Sequence, residues 1–316
     1  MSTGRIFEAT APGKIILFGE HAVVYGRPAL AAPVTHLRAR ALIELANGSG
    51  VRLVAPDLGR DTMLATARAD NPLAATVRLV EQHAGLAVPP GAIVTVTSAI
   101  PIASGLGSGA AIAVAVIRAL SACLGLGLTR EQVSALAYEV ERLHHGTPSG
   151  IDNTVIACEQ PVYFVRRQPA NLIEPFSPAR PLRLVIGDTG VRSATKHVVN
   201  DVRVHWEAER QEYETIFDAC GRLAEAGREA LARGELAAVG RLMNENHEWL
   251  IRMGVSSAGL DRLVTAALAA GALGAKLSGA GRGGNMIALV DDESEEGVCD
   301  ALRVAGAART YRSNVG

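Results

Sequence analysis

Aromatic side chains are scarce in this chain: 2 Trp, 5 Tyr and 5 Phe make up 4% of its 316 residues. Together with 33 glycines, that scarcity suits an interior in which helices and strands approach one another closely. An excess of charge is also missing, because 31 Lys and Arg face 32 Asp and Glu for a formal net charge of -1. There is therefore no electrostatic footprint for nucleic acid or for an anionic membrane, and a small anionic substrate would need local basic groups. Cysteine is sparse as well: Cys123, Cys158, Cys220 and Cys299 are scattered, with no CxxC pair and no metal-ligand spacing. They read as reduced thiols of a cytosolic protein. The opening stretch MSTGRIFEATAPGK lacks the continuous apolar segment of a secretory signal, so the expected location is the cytoplasm. The one stretch that approaches a membrane span, Ala110 to Leu128, carries Arg118 in its middle, which assigns it to a helix buried between protein layers. No short-period repeat, low-complexity tract or flexible linker is visible.

The remaining composition, 48% hydrophobic and 20% charged, is that of a globular chain long enough for two packed domains. In its first part, Ile15 to Leu17, Leu37 to Leu45 and Ala92 to Ser98 read as strands. Pro72 to Ala84 has helical spacing with Asn71 as its N-cap. Thr129 to Gln132 forms a capping box for a helix through Glu141. After Leu182 the pattern starts again. A strand LRLVIGD precedes one long helix from about Ala194 to Ala232, ended by Gly234. Helices over about 236–251 and 257–270, strand-like AKLSGA and NMIALV, and a helix over about 295–305 follow. The expected domains are residues 1–182 and 183–316, with substrate in the cleft between them.

Four segments carry the chemistry. In IPIASGLGSGAA, glycines at Gly105, Gly107 and Gly109 run into an apolar helix, whose N-terminal N–H groups and dipole suit a phosphate. A glycine turn before a buried helix is equally a packing device, and the pattern is neither GxxxxGK[ST] nor a well-formed GxGxxG. APGKIILFGEHAVVYG places Lys14 in a strand and Glu20-His21 after it; the lysine neutralises phosphate or is a solvated strand-edge residue. ERLHHGTPSGIDN places Glu141 near a helix end and Asp152 in a turn rich in Gly, Pro and Ser. That turn either aims a base at an acceptor hydroxyl or is organised by an Asx-turn aspartate. The adjacent His144 and His145 have no further ligand nearby, and no zinc is expected. KLSGAGRGGNMIALV connects two strands through Gly279, Gly281, Gly283 and Gly284, as a hairpin or as a second phosphate loop.

Taken together, these segments resemble the GHMP kinase superfamily, most closely its mevalonate kinases. APGKIILFGEHAVVYG resembles the first motif, PIASGLGSGAA the ATP-binding second and KLSGAGRGGN the glycine-rich third. SGIDN resembles the segment with the catalytic aspartate, and GDTGVRSATKHVV extends the likeness, which covers nearly the whole chain. The resemblance implies an α+β two-domain fold. Its N-terminal domain would hold a left-handed βαβ unit, its C-terminal domain would be ferredoxin-like, and the active site would lie in the interdomain cleft. It implies transfer of the ATP γ-phosphate to the primary hydroxyl of mevalonate in isoprenoid synthesis. Asp152 and Lys14 would then be catalytic, and Pro101, Ile102, Ala103, Ser104, Gly105, Leu106, Gly107, Ser108, Gly109, Ala110 and Ala111 would bind ATP. Glu20, His21 and Thr195 would contact mevalonate, Glu141 and also Ser108 would hold Mg²⁺, and a homodimer would follow family habit.

Two departures stand out. Gly109 occupies the position where the second motif commonly has a metal-binding serine, and Arg282 stands where the third often has glycine, with Asn285 in place of a frequent cysteine. Arg282 would add a phosphate contact or point to solvent, and would be strained if the backbone there needs positive φ. These departures keep open a nucleotide-binding regulator without turnover; within the enzyme class the alternative is another small-molecule kinase of the superfamily, acting on phosphomevalonate or a sugar.

Overall fold

The computed structural model of the chain describes residues 5–101, 104–145, 148–193 and 195–316. Two compact units are present. One comprises Met1–Gly13, His36–Pro101 and Gly107–Glu159; the other comprises Lys14–Thr35, Ile102–Leu106 and Gln160–Gly316. Two long strands, β1 (Ile6–Phe18) and β2 (Ala29–Leu45), pass from one unit into the other along the chain.

In the first unit the C-terminal half of β2 pairs antiparallel with β5 (Ala92–Ser98), from Ala39↔Ser98 to Leu45↔Ala92. Strand β3 (Arg52–Ala55) pairs parallel with β5 and antiparallel with β4 (Arg60–Met63). The parallel pair needs a crossover, and α1 (Pro72–Ala84) lies in it. The cap expected at Asn71 is present: its Oδ1 accepts from the Leu73 and Ala74 N–H groups at 3.0 and 3.1 Å. Helix α2 (Ser108–Leu124) is apolar on most of its circumference, and ten of its residues are buried, as its alanine-rich sequence requires. Helix α3 (Arg130–His145) starts on the expected box, with Thr129 N–H donating to Gln132 Oε1 at 2.9 Å. Helix α4 (Ile151–Cys158) was not expected.

Arg118 holds the far end of α4. It donates to Thr10 O at 2.9 Å, Ala157 O at 2.8 Å and Glu159 Oε1 at 2.5 Å, while Arg38 donates to Glu159 Oε2 at 2.9 Å. Partial burial raises the Glu159 pKa, but the hydrogen bonds and charges of the two arginines outweigh it and leave the carboxyl below its usual range.

In the second unit the start of β2 pairs with β6 (Val162–Val165), and β6 pairs with β7 (Leu172–Pro175). A separate antiparallel sheet has the order β11-β8-β10-β9, built from β8 (Leu182–Asp188), β9 (Gly274–Ser278), β10 (Asn285–Val290) and β11 (Arg309–Val315). Counted from β8 this is the 4-1-3-2 order of a ferredoxin-like unit. Helices α5 (Thr195–Ala208), α6 (Arg210–Arg233), α7 (Leu236–Arg252) and α8 (Ala258–Ala269) lie between β8 and β9, and α9 (Glu295–Val304) lies between β10 and β11. Phe217, Leu250, Leu260, Leu277 and Met286 sit in its core.

The single helix expected over 194–232 is two helices. Glu209, at φ -126° and ψ 52°, leaves the helical region and turns the chain. Hydrogen bonds run up to it from both sides, Glu209 N–H to His205 O at 2.7 Å and Tyr213 N–H to Glu209 O at 3.1 Å, so the helical periodicity continues through the break. Helix α7 approaches β9 with no side chain between: a Cβ on Gly240 would overlap the Leu273 carbonyl, and one on Gly274 would overlap the Gly240 backbone. Backbone cannot give way as a side-chain tip does. Gly240→Ala should therefore destabilise by about 3 kcal/mol, the upper end of overpacking, read as a lower urea midpoint with an unchanged m value; a neutral substitution would show that α7 shifts freely.

Candidate active site

The second unit brings together three segments far apart in sequence: the end of β1 and its following turn, residues 104–106, and the β9–β10 connection. Lys14 is buried, and its backbone N–H donates to Leu106 O at 2.9 Å. Two residues on, the Ile16 N–H donates to Ser278 Oγ and Ser278 Oγ donates back to Ile16 O, both at 3.0 Å. Glu20 is fully buried, and its Oε1 accepts from Lys276 Nζ, also fully buried; Lys276 donates in addition to Leu277 O at 2.7 Å. His21 Nε2 lies 2.9 Å from Ala280 O. A carbonyl can only accept, so Nε2 carries the proton and Nδ1 is the acceptor of a neutral ring.

The β9–β10 connection is a hairpin, with Ser278 opposite Asn285 and residues 279–284 between them. Positive φ recurs along it, including 82° at Gly281 and 72° at Gly284. A side chain at Gly281 would overlap the Val255 carbonyl, and a Cβ at Gly284 would come within 2.7 Å of Ser104 O. Arg282 adopts φ 54°, a conformation that costs a non-glycine residue about 1 kcal/mol or more. Its N–H donates to Val255 O at 2.7 Å, Nε to Gly254 O at 3.2 Å, and Nη1 to Asp201 on α5, so the guanidinium holds its own strained backbone in place. Asn285 is buried and donates through Nδ2 to Ser104 O. The turn after β8 braces the same hairpin: Thr189 donates from N–H and from Oγ1 to Gly284 O, each at 2.9 Å, and Gly284 N–H donates to Val191 O at 2.9 Å. Thr195 is exposed at the first turn of α5.

Burial sets the electrostatics here. It pushes Glu20 up and Lys276 down, each opposed by the charge of the other. It also lowers His21 to about 4, against the Ala280 hydrogen bond and with help from the Arg282 charge. His247 on α7, which accepts from Leu277 N–H at 3.3 Å through Nδ1, is likewise lowered to about 4 by burial despite the Asp261 carboxylate. Cys220 is pushed up to about 12 by burial, an unreactive thiol. All four cysteines are free.

In the first unit, Gly107 at φ 74° is the N-cap of α2, and Ser108 is its first residue. Gly109 is exposed, and among the described residues outside its own helix backbone nothing lies within 4 Å of where a Cβ would stand. Ala110 and Ala111 are buried in the helix. Pro101 is half-buried at the end of this unit's middle segment. Ile102 and Ala103 lie outside the described residues, as do the side chains of His144 and His145. Glu141 is half-buried on α3. Asp152 does not lie in a loop: it belongs to the first turn of α4, whose N-cap is Gly150. Its neighbour Asn153 locks that turn to α3, donating to Ser134 O at 3.1 Å and Ser134 Oγ at 2.9 Å. A helical first turn orients a carboxylate more firmly than a loop does.

Lys276 and Ser278 were missed from the sequence. Their only signal was a polar residue at every second position of a strand that is buried throughout.

Because His21 has a lower pKa folded than free, the native state binds fewer protons than the unfolded chain between about 4 and 6.5. Its contribution to stability is complete above about 6.5 and is lost as pH falls toward 4. A His21→Asn variant should therefore lose less stability than the wild type between pH 7 and pH 5, by up to about 2 kcal/mol; parallel urea-midpoint curves would show that His21 titrates normally.

The description "GHMP kinases N terminal domain" matches residues 71–160, and "GHMP kinases C terminal" matches residues 228–308. A mevalonate kinase of Thermococcus sibiricus is 38% identical, across 94% of this chain and 93% of its own length. The crystal structure of L. major mevalonate kinase in complex with R-mevalonate superposes with a TM-score of 0.87 at 30% identity, covering 99% of this chain and 97% of that one. That of the Methanococcus jannaschii mevalonate kinase gives 0.85 at 26% identity, covering 100% and 99%. Among the described residues no helix is long and apolar enough to cross a membrane. With both terminal domains matched and such relatives aligned over more than nine-tenths of both chains, the chain belongs to the GHMP kinases, among the mevalonate kinases of that family.

Proposed function

We propose that this chain transfers the γ-phosphate of ATP to the C5 hydroxyl of (R)-mevalonate, giving 5-phosphomevalonate and ADP for isoprenoid synthesis in the cytoplasm. The observation that carries the reading is the gathering of Lys14, the Glu20–His21 turn and two glycine segments in one unit, on a chain of this family.

Asp152 is the base that accepts the hydroxyl proton while the C5 oxygen bonds to phosphorus and the bridging oxygen leaves with ADP. Lys14 offsets the negative charge of the transferring group. In such reactions positioning and electrostatics supply most of the acceleration. Residues 101–111 follow the ATP phosphates, with the first N–H groups of α2 facing them. His21, neutral and protonated on Nε2, offers Nδ1 to a mevalonate hydroxyl. Among the described residues Glu20 Oε2 has no hydrogen-bond partner, and a hydroxyl donor there would satisfy a buried acceptor that is otherwise costly. Thr195 contacts the acceptor from the start of α5.

A divalent cation, expected to be Mg²⁺, would neutralise phosphate charge when bound. Glu141 would hold it, with Ser108 as a further ligand. The open space at Gly109 fits a hard ion that takes most of its shell from phosphate and water.

With ATP and Mg²⁺, ADP release should be seen with mevalonate and not with phosphomevalonate or galactose. Asp152→Asn should lower kcat by roughly 10²-fold or more. Turnover of another acceptor would move the substrate assignment, and full activity in the variant would remove Asp152 as the base. Gly109→Ser, for which there is room, should lower the Mg²⁺ concentration giving half-maximal rate; an unchanged dependence would place residue 109 outside the metal's shell.

A further inference from the structure

The third glycine motif holds more than a hairpin. From Lys276, Ser278 and Ala280, alternate residues at the end of β9 and just beyond it, four hydrogen bonds reach the segment 16–21. Alternation puts Lys276 and Ser278 on one face of the strand. Ser278 satisfies both backbone groups of Ile16, as a neighbouring strand would, two residues from Lys14. Lys276 fixes Glu20, and the Ala280 carbonyl fixes the ring of His21. Between these last two contacts the backbone of His21 stands at φ 57°, a conformation a non-glycine residue keeps only when its surroundings over-determine it. A fully buried ion pair is a poor way to gain stability, since an apolar pair of similar volume does as well; what Lys276–Glu20 supplies is a fixed orientation.

We propose that Lys276 and Ser278 are positioning residues for phosphoryl transfer, which hold the 14–21 segment so that Lys14 and His21 are presented to the acceptor. The acceptor's identity rests on the reading above.

The test uses the full chain, with ATP and mevalonate varied in turn. In Lys276→Met, KM for mevalonate should rise about tenfold and kcat fall by roughly 10²-fold, with KM for ATP unchanged. Ser278→Ala, which removes one oxygen, should show the same pattern to a smaller extent. A lower kcat with both KM values unchanged would mean only that less protein is folded, and a rise in KM for ATP alone would assign the pair to nucleotide binding; either overturns the proposal. Hydrogen exchange supplies a readout without substrate: the Ile16 amide should exchange about tenfold faster in Ser278→Ala. Unchanged exchange there also overturns the proposal. A wild type that does not phosphorylate mevalonate while Ile16 exchange responds would instead sink the substrate assignment alone.

Discussion

An ammonium and a carboxylate with no exposure to water, those of Lys276 and Glu20, hold the turn after β1 against β9 in the second unit. Each charge loses several kcal/mol of hydration on burial, and each is compensated only in the geometry observed, with Lys276 also bonded to Leu277 O. A displaced Glu20 would leave a cation without a counter-charge in the core. The turn carrying His21 is thus confined to one arrangement, and Lys14, one strand end away, is confined with it through Ser278 and Leu106 O.

Strain is distributed around this pair and held by specific bonds. His21 and Arg282 both adopt positive φ; the first is held by the Ala280 carbonyl and the second by Val255, Gly254 and Asp201. Glycines on either side of Arg282 allow backbone to lie against backbone, at Val255 beside Gly281 and at Ser104 beside Gly284. The same economy of side chains recurs where α7 meets β9 at Gly240 and Gly274. Low aromatic content and many glycines, the first properties visible in the chain, are what such close approaches require.

Local signals were legible in the sequence. Asn71 caps α1, Thr129 and Gln132 cap α3, and Gly234 follows α6, because a cap is written within four residues. The family was legible through its motifs, and the strain at Arg282 followed from replacing glycine. Pairings across hundreds of residues were not legible. Lys276 looked like an ordinary strand residue because its partner lies 256 positions away. The partners of Arg282 on α5 and before α8 could not be seen from its own loop. The break at Glu209 left no mark on the helical period, since a change in one residue's dihedrals leaves the apolar spacing intact. Asp152 looked like a loop residue because Gly, Pro and Ser precede it; Gly150 proved to be the N-cap of a helix.

Hydrogen exchange of the wild-type chain bound to a non-hydrolysable ATP analogue, with and without mevalonate, tests most directly whether the gathered segments form the acceptor's site. Added mevalonate should slow exchange in residues 14–21 and 276–284 together, as one cooperative element. Protection confined to other parts of the chain, with both of these segments unchanged, would contradict the account.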